Sequence, residues 1–154
     1  MKLEQARFLQ IVDSAPLVAV DLVIRNNCGR ILLGKRSNRP AQGSWFVPGG
    51  RIRKNERIAD TIGRVSGDEL GVKLTAGDGE LLGVYQHLYQ DNFCGADAVN
   101  THYVVLAYSY SLSEGVALRP DGQHAEMKWW PMHQLLRHSE VHEYTKAYFR
   151  QSAP

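Results

Sequence analysis

The residues with the clearest chemical potential lie between Gly43 and Val72. The run from Gly43 to Gly50 (GSWFVPGG) leads into Glu56, Arg64 and the pair Asp68 and Glu69, closed by Leu70, Gly71 and Val72. Glycines let main-chain carbonyls and N–H groups come close to a metal ion or a phosphate. Carboxylates on a following helix supply hard oxygen ligands of the kind magnesium takes. Val65 and Glu69 are four apart and so share one helix face. That face carries a single carboxylate beside an apolar residue.

Other candidates are scattered along the chain. Asp21 interrupts an apolar run, and a carboxylate there is costly to bury unless it is hydrogen-bonded or functional. Arg36 and Arg51 are either solvated charges at strand ends or forked, permanently charged donors for phosphate. Tyr103 is either a sheet aromatic or a polar group of a site. Gln123 and His124 follow Pro120, Asp121 and Gly122 in a turn-rich stretch. A neutral histidine there could take a proton near pH 7. His87, His102, His133, His138 and His142 show no metal-binding spacing.

The spacing from Gly50 to Val72 resembles the Nudix box, a loop–helix–loop that holds a divalent metal against a diphosphate. Trp45, Pro48, Gly49 and Gly50 ahead of the helix fit the same pattern. The box departs from the standard one, because Arg64 is followed by Val65 and Ser66 where Arg-Glu is usual, and the later pair reads Asp68-Glu69. An ordinary member would present a carboxylate at both Val65 and Glu69. One remaining carboxylate argues against gathering several metals to activate water at phosphorus. Asp21, the stretch Leu33–Arg51, the stretch Thr101–Leu106 and the stretch Pro120–His124 resemble the GDP-mannose mannosyl hydrolase branch of the fold, over about Pro16 to Phe149.

That resemblance implies attack by water at the anomeric carbon of GDP-mannose, with GDP-glucose and GDP-fucose not distinguished, and release of GDP with inversion. It implies one magnesium per subunit, with manganese as a substitute, on the Gly49 carbonyl, Glu69 and Gln123. His124 matches the general base, Arg36 and Arg51 the diphosphate-binding arginines, and Asp21 and Tyr103 polar groups near the sugar and the leaving phosphate. Glu56 and Arg64 are expected to brace the loop. The family also implies a homodimer. Two rival functions remain: a Nudix pyrophosphatase cutting a nucleotide sugar or nucleotide at phosphorus, and a non-catalytic nucleotide sensor.

These residues require a scaffold. The 154 residues suit a single domain spanning 1–154, with the box at about 50–72. Helices are expected over Glu4–Val12, with Phe8, Ile11 and Val12 on one side, and over Asn55–Leu70, with Asn55 as N-cap and Gly71 as C-terminal cap. Ile58, Ile62 and Leu70 should form the second helix's apolar side. Met132–Arg137 and His142–Phe149 should be closing helices. Strands are expected over Leu17–Ile24, Arg30–Gly34, Leu81–Leu88, Thr101–Leu112 and Ala125–Trp130, the first two joined by a turn at Asn26–Gly29. Ser37–Gly50 reads as a long loop, and Tyr85–Ala98 as a loop covering the sugar or meeting a partner. The class is α/β with a mixed sheet, and the resemblance makes it a Nudix fold, an α/β/α sandwich.

Composition narrows the function. Apolar residues make up 44% and charged residues 22%, which fits a packed protein. A formal net charge of +2 gives no basic stripe for nucleic acid or an anionic membrane. No apolar run approaches a membrane span. Cys28 and Cys94 form no disulfide framework and suit a reducing, cytoplasmic setting. The expected partner is a small nucleotide sugar.

Overall fold

The computed structural model describes residues 3–113 and 124–150, with the backbone alone at His124 and Ala125. The expected elements form with shifted ends, and two short strands, β3 and β4, are added: α1 Gln5–Ser14, β1 Leu17–Arg25, β2 Ile31–Arg36, β3 Trp45–Phe46, β4 Gly49–Arg51, α2 Ile58–Leu70, β5 Glu80–Tyr89, β6 Thr101–Ser111, β7 His124–Trp130, α3 Met132–Arg137 and α4 Glu143–Ala147. The sheet runs β3-β2-β1-β6-β5, with β4 beside β1 and β7 beside β2. β1 and β6 are parallel, whereas the other pairings are antiparallel. The fold is an α/β Nudix fold with a mixed sheet.

Alternation along β1 divides its side chains between two cores, because successive strand residues face opposite ways. Val20, Leu22 and Ile24 pack with Ile62, Val65 and Leu70 of α2. Val23 packs on the other face with Trp45, Val47, Trp130, Leu135, Val141 and Tyr148. The helices therefore lie on both sides of the sheet, with α2 on one and the segment carrying α3 and α4 on the other. Trp130 is 2% exposed and stacks edge-on with Trp45 at 5.2 Å, as a packing residue would.

Several expectations change. Asn55 does not cap α2: the helix begins at Ile58 after Arg57, and Asn55 has a φ of 68° in the left-handed region that asparagine tolerates. Glu56 organises the entry instead, its Oε1 accepting from the Arg53 N–H at 3.0 Å and the Thr61 hydroxyl at 2.8 Å. Ile58 is 39% exposed, so the apolar side of α2 starts at Ile62. On α1 only Val12 is buried, and Ile11 is 36% exposed. The supposed loop Ser37–Gly50 contains β3 and begins β4, and the loop expected over Tyr85–Ala98 starts after Tyr89. Asn92 holds that shorter loop together, donating to the Ala96 and Val99 carbonyls and accepting from the N–H groups of Cys94 and Ala96. Gly71 ends α2 as expected, at a φ of 71°.

Candidate active site

β4 places the glycines and Arg51. It lies antiparallel to β1 with Asp21 opposite Gly49, Val20 opposite Gly50 and Ala19 opposite Arg51. The alternation turns Gly49 and Arg51 toward one side of the sheet and Gly50 toward α2. A side chain on Gly49 would overlap Asp21 Oδ1 and stand 2.8 Å from the Val20 carbonyl oxygen. A Cβ on Gly50 would stand 2.7 Å from a Val65 methyl. Both positions thus exclude larger residues by contact.

A cleft of about 300 Å³ opens on the Asp21 side. Asp21, Arg36, Gly49, Gly50, Arg51 and Tyr103 line it together with His87 and Tyr89. The sheet explains this grouping: Tyr103 is the register partner of Leu17 in β1 and of His87 in β5. Of the expected site residues, Asp21, Arg36, Gly49, Arg51 and Tyr103 converge here although they are far apart in sequence. Glu69 is 2% exposed and lies behind the lining, where its charge acts on Asp21. His124 enters through its backbone, opposite Arg36 at the start of β7. Its side chain and all of Gln123 fall outside the described residues.

Local contacts fix the arginines. Arg36 donates from Nε to the Pro40 carbonyl at 2.9 Å and lies over the Phe46 ring at 5.7 Å. Arg51 lies over the Phe8 ring at 4.9 Å, and Phe8 meets Phe93 at 4.9 Å. Burial lowers the pKa of the Arg51 guanidinium, while the neighbouring Tyr103 works against that shift. Arg64 also borders the cleft and is held by local bonds: it makes two to Glu56, at 2.8 and 2.9 Å, and one to the Arg51 carbonyl at 2.8 Å. That pairing holds the Glu56 carboxyl down at about 2 and braces the strand that carries Arg51.

The Asp21 carboxyl is strongly perturbed. Burial raises it to about 7 against the lowering effect of the Tyr148 hydrogen bond, and the Glu69 charge adds to the rise. Burial also lowers the His87 imidazole to about 4, so it is neutral near pH 7. Burial raises both Tyr89 and Tyr103 above the ordinary phenol range. As cleft residues His87 and Tyr89 escape sequence reasoning, apart from Tyr89's place in the stretch expected to cover the sugar or meet a partner, and so does Tyr148. The first two carry a weak signal, since they alternate with Leu88 in one strand. Tyr148 carries none, being 127 residues from Asp21.

The donors suit a hard cation. The Glu69 carboxylate and the main-chain oxygen of Gly49 are hard oxygen donors of the kind magnesium takes, and the close approach of Gly49 to Asp21 leaves room for no side chain between them. Among the described residues no group of three or more His, Cys, Asp and Glu converges.

A loop–helix motif braced by Arg64 and Glu56, seated on a mixed sheet beside an arginine-lined cleft, defines a class of small-molecule hydrolases. The NUDIX domain family matches residues 15–151, and the chain belongs to that family. It is 44% identical over 119 residues to the low-salt glycan biosynthesis protein Agl8 of Haloferax volcanii, covering 77% of this chain and 72% of that one. Among solved structures, it is similar to a MutT NUDIX hydrolase from Burkholderia pseudomallei, with a TM-score of 0.71, 25% identity, and coverage of 91% of this chain and 100% of that one. It also resembles the NUDIX domain of Shewanella oneidensis NrtR in a cocrystal with ADP ribose, with a TM-score of 0.66, 23% identity, and coverage of 97% and 98%. Among the described residues no helix is long and apolar enough to cross a membrane.

Proposed function

We propose that this protein hydrolyses a nucleoside diphosphate sugar, GDP-mannose by preference, with water attacking the anomeric carbon to give GDP and the inverted free sugar. The observation that carries this reading is Val65. It occupies the helix position of a second metal-facing carboxylate, is 3% exposed and packs on Gly50. Activation of water at phosphorus by several metals loses a ligand there. The similarity to a glycan biosynthesis protein is consistent with a sugar substrate.

Glu69, the Gly49 carbonyl and Gln123 would hold one divalent cation. When bound, magnesium or manganese supplies Lewis acidity toward the leaving diphosphate. Arg36 and Arg51 add forked cationic donors to the same phosphates as the C1–O bond breaks. Asp21 and Tyr103 orient the sugar and the bridging oxygen from the cleft wall. His124, at the Arg36 end of β7, accepts the proton of the attacking water. Diphosphate is already a good leaving group, so no second carboxylic acid is needed, unlike a glycosidase pair. The working unit in this reading is a cytoplasmic homodimer.

Hydrolysis in oxygen-18 water tests this directly. Carbon attack places the label on the sugar, leaves GDP unlabelled and gives the β anomer of mannose first. Acid should suppress the rate, because a protonated imidazole accepts no proton, and His124→Gln should slow turnover by roughly 10²–10⁴-fold. Label on a phosphate would return the protein to the pyrophosphatases.

A further inference from the structure

Behind the cleft wall a side chain that touches no substrate space joins two that do. Tyr148, at the C-terminal end of α4, is 9% exposed and packs its ring edge-on against Tyr85 at 4.7 Å. Its hydroxyl donates to Asp21 Oδ2 and lies 3.3 Å from His87 Nε2. A phenol has one proton. With Asp21 ionised, that proton is committed to the carboxylate, so the imidazole must donate from Nε2 to the phenol oxygen. Nδ1 is then left as the acceptor. The other carboxylate oxygen, Oδ1, faces Gly49, where no side chain fits. Parallel stacking of Tyr144 on His87 at 4.5 Å, with the Tyr144 hydroxyl tied to the Leu88 carbonyl at 2.7 Å, limits ring rotation.

We propose that Tyr148 is a positioning residue: its hydroxyl fixes the Asp21 carboxylate and the tautomer of His87 as one unit in the cleft wall. The part of this proposal that concerns turnover rests on the sugar-nucleotide reading above. The part that concerns the tautomer stands without it. Losing a hydroxyl tied to a charged group in a site should cost roughly 10–100-fold. That effect should appear in kcat, because Tyr148 orients groups already bound to the protein. The KM should change little.

The test uses the full chain at pH 8 with magnesium. Nitrogen-15 correlation spectra of the histidines should show His87 as the Nε2–H tautomer in the unaltered protein, with a slowly exchanging Tyr148 hydroxyl proton close to it. Tyr148→Phe keeps the ring and removes only the bridge. It should move His87 toward a mixed tautomer and lower kcat on GDP-mannose by roughly 10–100-fold, with KM within about threefold of the original. A purely structural Tyr148 would lower the melting temperature yet leave the His87 spectrum and kcat unchanged, which overturns the proposal. An Nδ1–H tautomer in the unaltered protein also overturns it, and that measurement holds even if Tyr148→Phe does not fold. Absence of activity on GDP-mannose with the expected tautomer shift would sink the substrate reading and leave the positioning role standing.

Discussion

Val65 lies directly under Gly50, with the position of a Gly50 Cβ only 2.7 Å from a Val65 methyl. This contact joins the glycine turn to α2 and occupies the place where the motif usually carries a charge. Gly50→Ala should force a stiff, buried valine aside and lower stability by about 1–3 kcal/mol. Val65→Ala in the same chain should return most of that loss, because it removes the colliding methyls. Urea unfolding of the two single variants and the double variant checks this; strictly additive losses would mean the two residues do not meet.

Glu69 should couple stability to divalent cations. Magnesium or manganese at 100 times its dissociation constant adds about 2.7 kcal/mol to a protein that binds it only when folded. The unaltered chain should therefore melt at a higher temperature with metal than with chelator. Glu69→Gln should lose most of that difference and most activity. An equal metal response in both proteins would remove Glu69 from the metal site.

Arg36 and Arg51 reach the cleft from different strands and are held in place by Pro40, Phe46 and Phe8. Replacing either by glutamine should cost about 2.7–4 kcal/mol of transition-state stabilisation, comparable to losing one donor from a preorganised oxyanion site. The loss should fall mainly on kcat in steady-state kinetics. Near-normal kcat in both variants would make them surface charges.

Asp21 should make the metal-free fold sensitive to pH. Its carboxyl lies at about 7 in the folded chain against 3.8 unfolded, so the folded state favours the proton. Its contribution is fully present below the unfolded value and is lost as pH rises through the folded one. Asp21→Asn carries no charge to bury. It should therefore raise the melting temperature in chelator at pH 8, with the gain shrinking as pH falls toward 4, while activity drops. Scanning calorimetry across that range decides the matter; a loss of stability at pH 8 would show that the ionised carboxylate is well satisfied where it sits.

Much of the scaffold could be read in advance because it depends on local pattern. The β-branched run of β1, the turn at Asn26 to Gly29 and the Gly71 cap each follow from residues close in sequence. The loop–helix motif was legible because its offsets are short. The short strands β3 and β4 were hidden, since two or three residues carry no period. Asn55 misled for a related reason: asparagine suits both an N-cap and a left-handed turn, and the bonds of Glu56 to Arg53 and Thr61 decide between them.

By itself the sequence determined the family and which residue types could serve a diphosphate chemistry, because fixed spacing on one loop and one helix is a local property. Tertiary structure alone decided how they meet. The parallel pairing of β1 with β6 and the antiparallel pairing of β6 with β5 bring Tyr103 and His87 to the cleft that Asp21 lines. A chain return of 127 residues brings the Tyr148 hydroxyl onto the same carboxylate. Contacts at such separation leave no period or spacing in the sequence, and the burial that lifts Asp21 to about 7 exists only once those strands and the C-terminal segment have closed around it.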